Sequence, residues 1–276
     1  ARPADVLREW LQQITQTLAD YDEQHPEQPS APFAVNQIVH PTNDRLEHDV
    51  ALCAEFKVPL VITSLHAPNQ VVEKVHAYGG LVFHDVTTLR HAKKAIDAGV
   101  DGLILVCHGA GGHAGRLNPF AFVAEVRRFY DGPLVLAGAI SKGEQIVAAQ
   151  ALGVDLVYMG TRFIATQEAN AQAAYKLMVL DAAAGDIVYT NLFTGVHGNY
   201  LRQSIEQAGL DPDALPEGDK TAMRYGSGGS SKAKAWRDIW GAGQGVGAIA
   251  SMHSVAEEVA TLRQDYQKAL DHLRRL

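Results

Sequence analysis

Short apolar runs alternate along this chain with segments of helical periodicity, and that alternation restricts the fold more than any other feature. Strands are expected at Phe33–Val39, Leu60–Ser64, Leu81–His84, Leu103–Cys107, Leu134–Ala137 and Leu156–Gly160. Runs such as Leu103-Ile104-Leu105-Val106 suit a parallel sheet covered on both faces. Helices are expected over about 44–57, 69–78 and 87–98, stopping near Pro59, Gly79 and Gly99. Glycine just past the last turn is a common C-terminal stop. Alternation of this kind implies parallel βαβ units. It also repeats: Ala98-Gly99-Val100-Asp101 leads into one strand, and Leu152-Gly153-Val154-Asp155 leads into another about two units later.

The six strands follow an opening amphipathic helix at about residues 4–20, with Val6, Leu7, Trp10, Leu11, Ile14 and Leu18 on its apolar face. A (β/α)8 barrel has eight strands. The expected fold is therefore an α/β TIM barrel whose first two strands lie before Ala1, with an open six-stranded sheet as the alternative. Past Ile164 the pattern changes. A helix is expected over 168–183, an extended segment at Asp186–Asn191, and a short helix with turns in Gly195–Gly218. Residues 219–235 read as a Gly/Ser/Lys-rich loop, and Val255–Arg275 as a final amphipathic helix. This last third is expected to form a cap or side domain.

The 276 residues leave room for one large barrel or two ordinary domains. Hydrophobic residues at 47% and charged residues at 20% describe a soluble globular chain. A net charge of −7, with no basic cluster, argues against a nucleic-acid surface. Lys93-Lys94 and Arg274-Arg275 read as solvated helix faces. No apolar run is long enough to span a membrane, and no secretory h-region opens the chain. Cys53 and Cys107 are the only cysteines, which favours a reduced, cytoplasmic protein.

The chemistry concentrates after the fourth apolar run. Cys107-His108-Gly109-Ala110-Gly111-Gly112-His113-Ala114-Gly115 carries four glycines and two histidines. Glycines there let the backbone take positive φ and approach a flat ligand. His113 would then be presented to that ligand; the plainer alternative is a glycine turn with a surface histidine. Two further turns, Ala137-Gly138-Ala139-Ile140-Ser141 and Met159-Gly160-Thr161-Arg162, end neighbouring strands. Loops after the last two strands of such barrels commonly cradle a phosphate. Gly138 and Gly160 would offer backbone N–H groups and Thr161 a hydroxyl. His66 and His84 fall at strand ends and would face the barrel mouth. No Walker lysine, GxGxxG after a strand, HExxH, CxxC or Gly-x-Ser-x-Gly is present, so no metal site is expected. A phosphosugar isomerase is disfavoured because no carboxylate base is read at a strand end.

Gly111-Gly112-His113-Ala114-Gly115, Ala137-Gly138-Ala139-Ile140 and Met159-Gly160-Thr161-Arg162-Phe163-Ile164-Ala165-Thr166 occur in an order and spacing that resembles the nitronate monooxygenase family. Pro32-Phe33-Ala34-Val35-Asn36, His40-Pro41-Thr42-Asn43, Asn191–Leu201 and Lys234–Gly247 extend the resemblance, in a form similar to class I. The resemblance implies an FMN-bearing TIM barrel that oxidises alkyl nitronates, propionate 3-nitronate among them, with O2 to a carbonyl compound and nitrite. It implies that His113 is the active-site histidine, acting as general base or hydrogen-bond donor. Gly111 and Gly112 flank it; Gly138, Gly160 and Thr161 match the phosphate site, and Asn36 and Gln244 match positions around the isoalloxazine ring. Tyr225, Lys232 or Lys234 would meet a carboxylate-bearing substrate. The implied layout is a barrel portion over 1–167, a cap over 168–235 and a returning segment over 236–276, as a monomer or homodimer. Two departures stand out: the family's N-terminal flavin-contacting strand does not precede Ala1, and Gly109 stands where several relatives carry Glu. The alternatives are an NAD(P)H:quinone or enoyl reductase on the same barrel, and a non-catalytic flavin-binding barrel.

Overall fold

The computed structural model describes residues 5–218 and 239–276. The chain divides into two compact units, one comprising residues up to 86 with 90–103, the other residues 87–89 and most of the chain from 104 onward.

The first unit opens with helix α1 (Asp5–Gln24), followed by β1 (Ala34–Val39), α2 (Leu46–Glu55), β2 (Leu60–Leu65), α3 (Asn69–His76), β3 (Leu81–Val86) and α4 (Leu89–Asp97). β1, β2 and β3 are parallel, with Ala34 opposite Leu60 and Leu60 opposite Leu81. Val58, Val61, Val75, Val82 and Val86 are fully buried, as expected of strands and helices sharing one apolar layer. α1 runs further than its periodicity suggested, to Gln24.

In the second unit β4 (Gly102–Val106) enters from the first and is followed by β5 (Gly112–His113), α5 (Pro119–Val126), β6 (Leu134–Ala137), α6 (Gly143–Ala151), β7 (Leu156–Tyr158) and α7 (Thr161–Ile164). Next come α8 (Ala173–Asp181), β8 (Ile187–Thr190), β9 (Gly198–Leu201), α9 (Arg202–Gln207) and α10 (Val255–Leu273). β6 and β7 are parallel. β5, β9 and β8 form a separate antiparallel sheet in that order.

The sequence echo has a structural meaning. Gly99 and Gly153 both take positive φ, +83° and +99°, ending α4 and α6. The aspartate two residues on then closes the next strand against its predecessor. Asp101 N donates to Val82 O and its carboxylate accepts from Val82 N at 2.7 Å; Asp155 does the same with Leu134, at 2.8 Å. His76 braces the first aspartate and Arg127 the second.

Three expectations change. The helix expected over 168–183 begins at Ala173, because Gln167 N donates to His253 O and the buried Lys176 ammonium donates to Thr166 O and Gln167 O, which holds the intervening chain extended. Gly112–His113, read as loop, is a strand, since β9 pairs with it. The turns expected in Gly195–Gly218 contain β9 as well as the short helix.

α6 crosses α10 at Gly143, where an added Cβ would overlap the backbone of Leu262 and Tyr266. Backbone cannot move aside as a side chain can. Gly143→Ala is expected to destabilise the protein by about 1–3 kcal/mol in urea unfolding. Gly185→Ala, whose Cβ would meet nothing within 4 Å, is expected to be neutral.

Candidate active site

β4 delivers its loop to a place where glycine alone fits. Gly109 has φ +88°, and its carbonyl accepts from Gln244 N at 2.9 Å. A Cβ on Gly111 would lie 2.8 Å from Gly243 N and 2.9 Å from Thr161 Oγ1. Thr161 Oγ1 itself accepts from Gly243 N at 2.9 Å. Asn199, buried on β9, donates from Nδ2 to Ala110 O at 2.7 Å. Three of the sequence-predicted residues, Gly111, Thr161 and Gln244, are thus gathered at one point, with the 3-10 turn Gln244–Ala248 laid against the β4 loop.

Gly112, with φ +70°, turns the chain into β5, so that Gly112 pairs with Asn199 and His113 with Gly198. The His113 ring is partly buried, and its Nε2 lies 3.0 Å from Thr194 Oγ1. Thr194 donates its own proton to Val196 O at 2.9 Å, so towards His113 the hydroxyl oxygen accepts. The contact suits the tautomer that carries its proton on Nε2. Burial pushes the His113 imidazole below its ordinary value of 6.5, favouring the neutral ring at neutral pH. Thr194 was missed in the sequence because it stands 81 residues from His113.

Gly138 and Gly160 follow the paired ends of β6 and β7. Gly138 has φ +140°, and Ala139 takes the left-handed conformation at φ +54°, which costs a residue with a Cβ about 1–2 kcal/mol. Gln145 reaches back to accept from Ser141 N and Lys142 N, so the two amides just before α6 are already satisfied. The amides of Ala139, Ile140, Gly160 and Thr161 meet no acceptor among the described residues. A Cβ on Gly160 would point into open space. Arg162, directly after Thr161, donates from Nε to the buried Glu258 of α10 and from a terminal nitrogen to Ala248 O at 3.0 Å, tying α7 to both.

In the first unit, Asn36 stands exposed on β1 with Ser64 of β2 and Asp85 of β3 beside it. Ser64 Oγ donates to Asp85 Oδ2 at 2.6 Å, while Asp85 Oδ1 is buried without a partner. Burial pushes the Asp85 carboxyl up to about 6, against the smaller downward pull of the serine. This acid corrects the sequence reading that no carboxylate stands at a strand end: the strand was expected to stop at His84, whereas β3 runs on to Val86 and includes Asp85. His84 does not face outward as expected: it is buried against Thr63 Oγ1 at 2.8 Å, and desolvation brings it down to about 4. His66 is exposed and meets His40 edge to face at 5.1 Å. Tyr225, Lys232 and Lys234 lie outside the described residues. Among the described residues no group of three His, Cys, Asp or Glu is arranged to hold a metal, and no helix is long and apolar enough to cross a membrane.

The nitronate monooxygenase family profile matches residues 4–265. The chain belongs to that family. A nitronate monooxygenase of Paraburkholderia phytofirmans is 28% identical over 242 residues, covering 82% of this chain and 65% of that protein. Among solved structures, FabK from Thermotoga maritima superposes with a TM-score of 0.76 at 24% identity, covering 99% of this chain and 85% of that one. A nitroalkane oxidase from Streptomyces ansochromogenes gives 0.69 at 24% identity, covering 94% and 87%. These likenesses establish the fold class as the α/β barrel of the family, represented here by six parallel strands. The chain spans about half the length of the curated relatives it matches.

The Asp85 carboxyl sets a pH dependence. Its folded value lies above the ordinary 3.8, so the folded state resists its ionisation. Stability associated with this group is full below about pH 4 and falls as pH rises towards 6. Asp85→Asn is expected to unfold at higher urea than the unaltered protein at pH 7, with the difference vanishing near pH 4.

Proposed function

We propose that this protein is an FMN-dependent nitronate monooxygenase, an oxidoreductase that converts alkyl nitronates and O2 to a carbonyl compound and nitrite in the cytoplasm, as a monomer or homodimer. The observation that carries the reading is His113: a partly buried imidazole against Thr194, its pKa lowered by desolvation, held on a glycine-flanked strand beside the junction of Gly111, Thr161 and Gln244. Family membership supplies the reaction class.

The second unit fits the cofactor. The unengaged amides of Ala139, Ile140, Gly160 and Thr161, and the open space at Gly160, suit a phosphate, which Gly138, Gly160 and Thr161 would hold. The ring would lie near Gly111, Gly112 and Gln244; Asn36 and the barrel, cap and return segments at 1–167, 168–235 and 236–276 are assigned on the resemblance alone. Bound FMN would supply the redox chemistry with O2. The chain's own contribution lies in positioning and in proton handling. Nδ1 of His113 can take the α-proton of a neutral nitroalkane. An anionic nitronate has already lost that proton, and for it the Nε2–H now shared with Thr194 becomes the donor.

Adding propionate 3-nitronate to FMN-saturated protein without NAD(P)H should consume O2 and release nitrite; a flavin-retaining protein that does neither would rule the reading out. His113→Asn should lower turnover of neutral nitroalkanes by about 100-fold or more and affect preformed nitronates far less. Because the folded pKa of His113 is depressed, the basic form persists as pH falls below 6.5, and the acid limb of the nitroalkane pH–rate profile should lie below that value.

A further inference from the structure

His113 on β5, Gly198 on β9 and Thr190 on β8 lie in one row across the small antiparallel sheet, so the three positions share a face. Gly198 puts no side chain there. The loop that joins β8 to β9 supplies Thr194, whose Oγ1 lies 3.0 Å from His113 Nε2. That loop is held at several points. Gly195 takes φ +76° and its N–H donates to Asn191 O at 2.8 Å. Leu192 N donates to Thr190 Oγ1 at 3.1 Å, and the buried Asn191 accepts on Oδ1 from Gly218 N at 3.0 Å.

A hydroxyl has one proton to give and two lone pairs to receive with. Thr194 Oγ1 donates to Val196 O at 2.9 Å and accepts from Val196 N at 3.3 Å, which leaves one lone pair for the imidazole. No backbone N–H among the described residues donates to Val196 O, so turning the threonine proton towards His113 would take away that carbonyl's donor. Tyr200, fully buried two residues along β9 from Gly198, also meets Thr194: burial pushes its phenol up and Thr194 draws it down. A phenol can donate or accept, so it does not compel the threonine proton to leave Val196 O.

We infer that Thr194 is a positioning residue for His113: it holds the ring by Nε2–H, in the tautomer whose basic lone pair is on Nδ1, and so sets which nitrogen removes the α-proton of a neutral nitroalkane. The inference rests on the proposed reaction for its kinetic consequence, but not for the tautomer itself. In that step one proton passes from carbon to Nδ1 and its electron pair stays on the nitronate, while the ring becomes imidazolium. Thr194 accepts from Nε2–H before and after, so the loop need not rearrange. The bond strengthens as its donor gains charge, which favours the transition state over the bound substrate.

The tautomer is read directly by 15N NMR of histidine-labelled, FMN-saturated protein at about pH 8, where an ordinary imidazole is neutral. Loss of signal in His113→Asn picks out His113 among the twelve histidines. The proton should be found on Nε2; a proton on Nδ1 in the unaltered protein overturns the inference with no variant needed. Thr194→Val, which keeps the shape and removes the hydroxyl, should mix the two tautomers. It should also lower kcat for nitroethane by about 3–10-fold with KM little changed, and should not slow turnover of propionate 3-nitronate, which has no α-proton to lose to a base. Thr194→Ser should restore both the tautomer and kcat. An unchanged tautomer and kcat in Thr194→Val, or equal losses in Thr194→Val and Thr194→Ser, would overturn the inference; the second would assign the effect to packing of the loop. A Thr194-dependent tautomer in a protein that oxidises neither substrate would sink the reaction and leave the positioning role standing.

Discussion

The second unit depends on one close approach of backbone to backbone. The loop after β4 and the segment before the Gln244–Ala248 turn lie so near that a Cβ on Gly243 would stand 2.5 Å from Gly109 O, and one on Gly111 would strike Gly243 N. Three hydrogen bonds fix the contact: Gln244 N to Gly109 O, Gly243 N to Thr161 Oγ1 and Asn199 Nδ2 to Ala110 O. Glycine in these positions is a steric requirement of protein packing on protein. That modifies the idea that the glycines exist only to admit a flat ligand: Gly111 is already occupied by its neighbours, whereas Gly160 faces open space. The same approach sets the course of the chain into β5, and hence the place of His113.

A second constraint locks the other side of this junction. Arg162 and Glu258 form a buried pair, with Arg162 also holding Ala248 O, so α7, the turn at 244–248 and α10 share one charged node. Removing one partner of such a pair leaves a buried charge and typically costs about 3–5 kcal/mol. Glu258 is already under-satisfied, since its second oxygen is buried without a partner. The node therefore contributes position more than stability. It fixes Thr161, the residue next in chain to Arg162, whose hydroxyl receives Gly243.

What was legible in the sequence divides along the range of the interactions. The parallel strands and their helices are written locally, in apolar runs and in glycines that stop helices, and the six strands lie within a residue or two of their expected bounds. The Gly-Val-Asp echo was visible as a repeat, although its use, an aspartate bridging to the start of the preceding strand, is not. β5 and β9 were opaque because a two-residue strand has no periodicity; each is a strand only because the other is opposite. Thr194, Tyr189 and His197 reach the His113 segment from about 75–80 positions away, which no local pattern encodes. Asp85 escaped notice for a different reason: the strand was expected to end at His84, and only its continuation to Val86 and the buried carboxylate oxygen place this acid at the strand end.

The second unit separates two kinds of charge. His113 is desolvated and neutral, suited to moving or sharing a proton; Arg116 is permanently charged and kept at the surface, where its hydration is retained. Burying the guanidinium without a carboxylate would cost several kcal/mol, whereas at an exposed position two charges 4 Å apart attract by about 1–4 kcal/mol. The glycine contact that sets the course of β5 thus places the imidazole, while the guanidinium three residues on stays in water.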